Sequence, residues 1–298
     1  MHLTVFSKSA RFYTVRRIAE SARGRGHTVR IIDPLQCELV LGGDGARLFH
    51  KGKAFPNTSL CLPRLVPSNL RHALAILEQL EDSGVPMLNG STAIARSRNK
   101  LRALQWLSTR GVPVPSTILA TSADSISRMV AREGGCPVVL RLLRTSEKEA
   151  VMVCETEQSM RAALDALLGL GHGVMVQQYV RETRGRDVRA LVVGGHVKAS
   201  ARRVPEIGRL KRSLGQGAHF ERCELPPHVC ALAEKSVGLL GLDLASVDLL
   251  ETPSGVCVLE VNSAPSLQGI EGAVGLDLAL EIVLWAEEIL SRRPSPPR

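Results

Sequence analysis

The sequence predicts a mixed α/β fold that becomes α+β in its middle part. Two observations support this. At the start of the chain, a β-type run over 2–7, a segment of helical spacing over 14–25 and a second β-type run over 28–32 follow one another quickly, as in a parallel βαβ unit. Further along, strands and helices alternate without that regularity, and strands dominate from Asp187 onward. A chain of 298 residues can form one large domain or two to three small ones.

Residues 1–92 are predicted to form a small N-terminal α/β domain. After the βαβ unit, the pattern indicates a polar hairpin around Gly52 and a strand over 60–64. A helix over 68–83 and an extended stretch over 85–89 complete this domain.

Residues 93–185 are predicted to form a central subdomain. It opens with a single helix over 93–110, which Gly111 and Pro113 stop. The remaining strands are predicted at 117–120, 137–143, 150–154 and 173–180, with helices beginning at 124 and 157.

Residues 186–290 are predicted to form a C-terminal, strand-rich subdomain. Helices are expected over 227–240 and 276–290. The tail, residues 291–298, contains three prolines and is predicted to be disordered.

The composition excludes some classes of protein. Aromatic residues make up only 3% of the chain, which argues against a nucleic-acid surface built on base stacking. No apolar run is long enough for a membrane span, and the N-terminal run is too short for a signal peptide. The net charge of +9 fits either a solubilising surface or attraction to nucleotide phosphates and an acidic polypeptide.

The cysteines point to a reducing compartment. There are seven, scattered and without a Cys-x-x-Cys pair, so we expect a cytoplasmic protein. Cys136, Cys154 and Cys257 lie in apolar runs and are predicted to be small core residues.

A metal site is predicted near the end of the chain. Glu260 and Asn262 are two residues apart on a predicted strand, so both point to one face. Asp248 lies in the preceding apolar run, and the turn at 253–255 forms a hairpin that can lay it beside Glu260. Carboxylate and amide oxygens are ligands that Mg²⁺ prefers when it also holds phosphates. The alternative is a turn aspartate and a solvated strand glutamate.

The same residues carry a resemblance. Asp248, together with the run Glu-Val-Asn-Ser-Ala-Pro-Ser-Leu-Gln-Gly-Ile-Glu over 260–271, is similar to the C-terminal signature of the ATP-grasp superfamily. Within it the chain resembles the RimK-type ligases, which add glutamate to the C-terminus of a ribosomal protein. The similarity starts at the first strand and runs through 93–102 to 275–278.

The resemblance implies an ATP-grasp fold with an N-terminal pre-ATP-grasp domain. It implies ATP and Mg²⁺ (or Mn²⁺) as cofactors, with nucleotide bound between the central and C-terminal subdomains. It also implies an amino acid, glutamate, as one substrate and an acidic peptide or protein as acceptor. Neither nucleic acid nor membrane is expected as a partner, and the oligomeric state is left open, a homo-oligomer included.

Several basic residues match phosphate or substrate positions of the family. Lys100 matches the first phosphate lysine, although a solvated basic helix face is the alternative. Arg141 stands in a strand where the family has lysine on the α- and β-phosphates. Arg189 and Arg203 match arginines on the substrate carboxylate or the transferring phosphate and are the predicted catalytic residues; the alternative is charges alternating on an exposed sheet face.

The remaining nucleotide positions follow from the same resemblance. Gln178, Tyr179 and Val180 match the hinge whose backbone bonds the adenine edge, with glutamine where the family usually has glutamate. Asp187 fits a position that contacts the ribose hydroxyls. Lys211, Arg212 and Ser213 match an Arg-Ser-Asn triplet imperfectly.

The largest departure from the family is the loop 144–150. The family closes a glycine-rich loop over the triphosphate, because bare backbone N–H groups can approach its oxygens. This chain has Arg-Thr-Ser-Glu-Lys-Glu-Ala there. Two hypotheses follow: an ATP-dependent carboxylate–amine ligase, or a non-catalytic relative that binds nucleotide or a partner and acts in regulation.

Overall fold

The computed structural model describes residues 1–43, 45–66, 70–143, 151–180, 183, 186–205 and 218–292. They form a mixed α/β structure in which an N-terminal parallel sheet and two antiparallel sheets follow one another along the chain. No helix in these ranges combines the length and the apolar character needed to cross a membrane.

The N-terminal part confirms the predicted parallel βαβ unit. Its elements are β1 (His2–Phe6), α1 (Tyr13–Gly24), β2 (Thr28–Ile32), β3 (Cys37–Gly42), β4 (Gly45–His50), β5 (Lys53–Ala54), β6 (Leu60–Pro63) and α2 (Leu70–Asp82). Strands β2, β1 and β6 form a parallel sheet in that order. The predicted hairpin around Gly52 is β4–β5, and β3, which the pattern did not indicate, extends it into a small separate sheet.

The helix predicted over 93–110 is wrong in one respect, because it is two helices. These are α3 (Ser91–Arg98) and α4 (Lys100–Ser108). Asn99, between them, has an extended backbone, and its side chain accepts a hydrogen bond from Arg102 N at 3.1 Å. An asparagine side chain that caps a new helix competes with continuation of the old one, which explains the break.

The central part is an antiparallel sheet covered by two helices. Its elements are β7 (Thr117–Ala120), α5 (Ala123–Arg132), β8 (Val138–Leu142), β9 (Val151–Cys154), α6 (Glu157–Gly169) and β10 (Val174–Gln178). The strand order is β7-β10-β8-β9, and a core of buried side chains such as Ile126, Met160 and Val176 joins the sheet to both helices. Cys154 is buried as predicted, whereas Cys136 is only half-buried because it lies in the connection before β8.

The C-terminal part is a five-stranded antiparallel sheet with helices on both faces. Its elements are β11 (Asp187–Val193), β12 (His196–Pro205), β13 (Ala218–Arg222), α7 (Pro227–Leu240), β14 (Leu244–Thr252), β15 (Gly255–Asn262), α8 (Gln268–Val274) and α9 (Leu278–Ser291). The strand order is β13-β12-β11-β14-β15. Cys257 is buried on β15. The predicted last helix begins two residues later than expected, because Asp277 caps it by accepting from Leu280 N.

One continuous core joins the first and last parts of the chain. Leu3 and Ile18 of the N-terminal domain are buried in the same cluster as Leu191 and Ile282 of the C-terminal sheet and α9. At the edge of this contact Glu287 accepts from Arg25 at 2.7 and 2.8 Å and contacts His27 Nε2 at 2.6 Å. The hydrogen bonds from Arg25 and His27 lower the pKa of Glu287 to about 2. The N-terminal domain is therefore packed directly on the subdomain that carries the predicted metal residues.

Candidate nucleotide and metal site

The predicted hairpin places the acidic residues together. Strands β14 and β15 pair antiparallel, with Asp248 opposite Glu260 and Ser246 opposite Asn262. Opposed residues and residues two apart share a face of a sheet. Asp248, Glu260 and Asn262 therefore lie on one face, as the spacing predicted.

Each carboxylate of this hairpin already faces a basic side chain. Arg189 on β11 binds Asp248 with two parallel hydrogen bonds of 2.7 and 2.8 Å. Lys100 Nζ, at the start of α4, donates to Glu260 Oε2 at 2.8 Å. A predicted phosphate residue, Lys100, is thus in direct contact with a predicted metal residue, Glu260, although they are 160 positions apart in the chain.

A second arginine–aspartate pair adjoins the first. Arg203 on β12 forks onto Asp187 on β11 with two hydrogen bonds, and its Nη2 lies 3.7 Å from Asp248 Oδ2. Asp187, Arg203 and Asp248 are all between 5 and 7% exposed. We call Asp187, Arg189, Arg203 and Asp248 the carboxylate–arginine cluster. The expectation that the two arginines alternate on an exposed face is wrong, because they point into this cluster.

The cluster sets the charge state of its aspartates. Burial and the neighbouring Asp248 raise the pKa of Asp187 to about 6, in spite of Arg203. Burial alone would raise the pKa of Asp248 too, yet Arg189 and Arg203 together hold it below its ordinary value. Asp248 is therefore a carboxylate at neutral pH, which a metal ligand must be.

An open cleft lies beside the cluster, between the central sheet and the β14–β15 hairpin. Its walls are apolar on both sides, with Val139 and Val153 facing from the central sheet and Leu250 and Leu259 from the hairpin. Two opposed aliphatic walls suit a planar aromatic ligand. The cleft also borders a set of predicted nucleotide residues, namely Arg141, Gln178, Tyr179, Val180 and Asp187.

Arg141 is a charged residue of the cleft wall. It sits in the middle of β8, between Met175 and Val151 on the neighbouring strands, and is 7% exposed. Burying a charged guanidinium within a strand costs free energy, and an anion bound in the cleft would offset that cost.

The hinge after β10 leaves one amide directed to no partner within the described part of the chain. Gln178 N donates to Ser116 O at 2.9 Å, and Tyr179 N donates to Pro137 O at 3.3 Å. The next amide, that of Val180, makes no such bond among the described residues. Val180 is therefore the hinge donor available for the edge of a base, whereas the resemblance indicated the whole hinge.

The loop that follows β15 is held by the N-terminal domain, and this was missed at the sequence level. Three of its residues, each two apart, are bonded by side chains that come from α1, from the end of β6 and from the segment before α3. Arg64, directly after a buried strand, was the one detectable signal. The contacts are Thr14 Oγ1 with Leu267 N at 3.0 Å, Arg64 Nη2 with Pro265 O at 2.5 Å and Asn89 Nδ2 with Ser263 O at 3.2 Å.

Asn89 uses its whole amide in this contact. Its Oδ1 accepts from Asp243 N and Leu244 N, both at 2.8 Å, and its Nδ2 also donates to Leu244 O at 2.7 Å. It is 1% exposed. One side chain thereby ties the start of β14 to the end of β15, the two strands that carry the acidic residues.

Two predicted parts of the site lie outside the described residues. These are the loop 144–150 and the residues Lys211, Arg212 and Ser213. Part of the tail predicted to be disordered, 293–298, also lies outside them. Within the described ranges, no three His, Cys, Asp or Glu side chains converge as a metal cluster.

The residues present fit a magnesium ion that shares its coordination with phosphate. The donor set is two carboxylates on opposed strand positions and one amide oxygen, all hard oxygen ligands. Mg²⁺ takes one or two carboxylates and completes its shell with waters and substrate phosphates, so a third carboxylate is not required. Arg189 and Lys100 neutralise the carboxylates in this arrangement and would have to share them with the ion.

Comparison with known proteins agrees with this geometry. A family model described as "RimK-like ATP-grasp domain" matches residues 97–286, and one described as "RimK PreATP-grasp domain" matches residues 1–94. A protein of Aeromonas salmonicida named "Probable alpha-L-glutamate ligase" is 36% identical over 296 residues, covering 99% of this chain and 99% of that one.

Solved structures share the fold over nearly the whole chain. A RimK-domain ATP-grasp protein of Sphaerobacter thermophilus superposes with a TM-score of 0.72 at 23% identity, covering 96% of this chain and 99% of the other. The ATP-grasp ligase PsnB, solved with a phosphomimetic variant of its minimal precursor, Mg and ADP, superposes with a TM-score of 0.75 at 20% identity and 98% coverage of both.

Proposed function

This chain belongs to the family of RimK-like ATP-grasp ligases, enzymes that form C–N bonds, and on that premise we propose that it adds glutamate to the C-terminal carboxylate of an acidic peptide or protein. The observation that carries the proposal is the carboxylate–arginine cluster beside the apolar cleft. It brings oxygen ligands for a metal and guanidinium groups for anions to the same place. The relatives named as glutamate ligases supply the amino acid.

The nucleotide half of the proposal uses the cleft. The base would lie between the aliphatic walls and would take a hydrogen bond from the amide of Val180. Arg141 in the cleft wall and Lys100 beside Glu260 would neutralise the triphosphate, and Asp187 is the candidate for the ribose hydroxyls. Phosphoryl transfer depends on such positioning and charge neutralisation more than on covalent help from the protein.

The metal half uses the hairpin. Asp248, Glu260 and Asn262 would hold Mg²⁺, or Mn²⁺ in its place. The ion supplies neutralisation of the charge that builds up on the phosphate oxygens. Arg189 keeps Asp248 ionised and aimed at the same face.

The phosphoryl-transfer and ligation steps use the arginines of the cluster. An oxygen of the acceptor carboxylate attacks the γ-phosphorus, the bond to ADP breaks, and an acyl phosphate forms. The neutral glutamate amine then attacks the acyl carbon, its N–H proton passes to the departing phosphate, and inorganic phosphate leaves as the peptide bond forms. Arg203 and Arg189 stabilise the negative charge on the acceptor carboxylate and the transferring phosphoryl group in the first step, and on the departing phosphate in the second.

The proposal also includes a reducing compartment, the cytoplasm. All seven cysteines are free thiols. Burial raises the pKa of Cys37 to about 12 and that of Cys257 to about 11, so these thiols resist ionisation.

The test is a coupled assay with a matched pair of variants. Purified protein with ATP, Mg²⁺ and an amino-acid panel should release ADP and extend an acidic acceptor peptide by one glutamyl residue, seen by mass spectrometry. Glu260→Gln should abolish the Mg²⁺-dependent turnover. Glu251→Gln makes the same change on the exposed part of the same hairpin and should leave it intact. Absence of ADP release with every amino acid would contradict the proposal.

A further inference from the structure

Arg64 is a buried guanidinium without a carboxylate partner among the described residues. It follows the last residue of β6, is 8% exposed, and donates from Nη2 to the carbonyl oxygen of Pro265 at 2.5 Å. Its Nε and Nη1 are shielded from solvent and have no hydrogen-bond partner in the described part of the chain. A guanidinium carries five N–H donors, and burying them unpaired is costly.

A second arginine adds charge repulsion to the cost of burying Arg64. Arg98, at the end of α3, donates from Nη2 to Leu65 O at 2.5 Å, and its buried Nε also lacks a partner among the described residues. Burial and the proximity of Arg98 lower the pKa of Arg64 to about 9. The two like charges thus repel each other in a dry place, and Arg64 has no carboxylate partner among the described residues, so an anion beside Arg64 would complete the arrangement.

The location of the pair indicates which kind of anion. Arg64 N donates to Phe6 O at 2.8 Å, so the pair stands at the carboxyl ends of the parallel strands β1 and β6. That edge of an open parallel sheet is where such folds bind ligands. On its other side the pair meets the proposed metal residues, because Pro265 follows β15 and Glu260 acts electrostatically on Arg98.

The nucleotide cleft is a different place. Its lining comes from the central sheet, the hinge and the outer part of the β14–β15 hairpin, and includes neither Arg64 nor Arg98. An anion bound by the pair would therefore approach the metal residues from the N-terminal domain and not through the nucleotide cleft.

We propose that Arg64 and Arg98 form a carboxylate-binding subsite for a substrate of the ligation reaction. This inference rests on the ligase function proposed above. The carboxylate belongs either to the incoming amino acid or to the C-terminus of the acceptor, and both present the same planar group that a guanidinium binds with two hydrogen bonds. Since the two nitrogens are closed to solvent in this arrangement, the carboxylate enters as the Pro265 contact gives way.

The test compares Arg64→Met with Arg102→Met, which removes the same charge from an exposed position on the adjacent helix. Calorimetric titration of glutamate, and separately of acceptor peptide, into protein saturated with ADP and Mg²⁺ gives the affinity of each carboxylate source without turnover. Arg64→Met should weaken one of them by about 10- to 100-fold, the loss expected for a charge-assisted hydrogen bond. Arg102→Met should weaken neither.

The outcomes separate cleanly. A loss confined to glutamate assigns the subsite to the amino acid, and a loss confined to peptide assigns it to the acceptor. Unchanged affinity for both, or a loss seen only for ADP, overturns the proposal. Arg98→Met, read in the same titration, serves if Arg64→Met fails to fold. Failure of the ligase function itself would show as absent product in the wild-type assay, which these binding measurements do not require.

Discussion

Replacing Asn89 by alanine tests whether the N-terminal domain holds the metal hairpin in place. The side chain makes four hydrogen bonds of 2.7, 2.8, 2.8 and 3.2 Å to the backbone of β14 and of the loop after β15. At about 1 kcal/mol of net stabilisation for each bond, Asn89→Ala should lower the free energy of unfolding by about 4 kcal/mol. The loss is at the high end for a point change because the backbone groups stay buried and unpaired.

Urea denaturation followed by far-UV circular dichroism measures this loss. Asn57→Ala is the control, because Asn57 is exposed on the same domain and a surface change of this kind stays within about 0.5 kcal/mol. A midpoint for Asn89→Ala that moves no further than that of Asn57→Ala would refute the reasoning. If Asn89→Ala raised only the Mg²⁺ concentration needed for activity, Asn89 would position the hairpin without contributing the expected stability.

Three further predictions concern the cleft, the contact of Glu287 with Arg25 and His27, and a crowded glycine. Arg141→Ala should weaken ATP binding by roughly 1.5–3 kcal/mol and AMP far less, since AMP lacks the β- and γ-phosphates; equal weakening in a titration would indicate a structural arginine. Because the pKa of Glu287 falls from 4.5 to about 2 on folding, its stabilisation is present above pH 4.5 and is lost as the pH falls toward 2. The drop in thermal midpoint caused by Glu287→Gln should therefore shrink in acid, and a pH-independent drop would contradict this. A Cβ on Gly194 would lie 2.5 Å from the ring of Trp285. Gly194→Ala should therefore lower the free energy of unfolding by about 1–3 kcal/mol more than Gly195→Ala, because Gly195 also has a positive φ (83° against 62°) but faces open space; equal losses of stability would exclude the clash.

The local features of this fold could be predicted from the sequence. Strand β2 and helix α7 have the predicted bounds, and the pairing of Asp248 with Glu260 followed from alternation and one turn. These bounds and this pairing depend on residues that are close together in the chain. The break at Asn99 could not be predicted, because asparagine is tolerated within a helix when no cap competes.

The partners of the site could not be predicted, because they are distant in the chain. Arg189 and Arg203 were matched to substrate roles, yet nothing in their spacing indicated that they bind Asp248 and Asp187. Arg64 was not singled out at all, since a single arginine after a strand is ordinary until its burial is known. Burial and tertiary proximity, which a single sequence does not contain, decide the meaning of such charges.

The loop after β15 has a consequence for how members of this family can be recombined. Its three anchors, Thr14, Arg64 and Asn89, all come from the N-terminal domain. A chimera that took that domain from one relative and the rest from another would lose the contacts that hold the loop after the β14–β15 hairpin, unless the two relatives share these residues. The N-terminal domain and the rest of the chain are therefore not freely exchangeable here, and a functional graft has to carry these three positions with it.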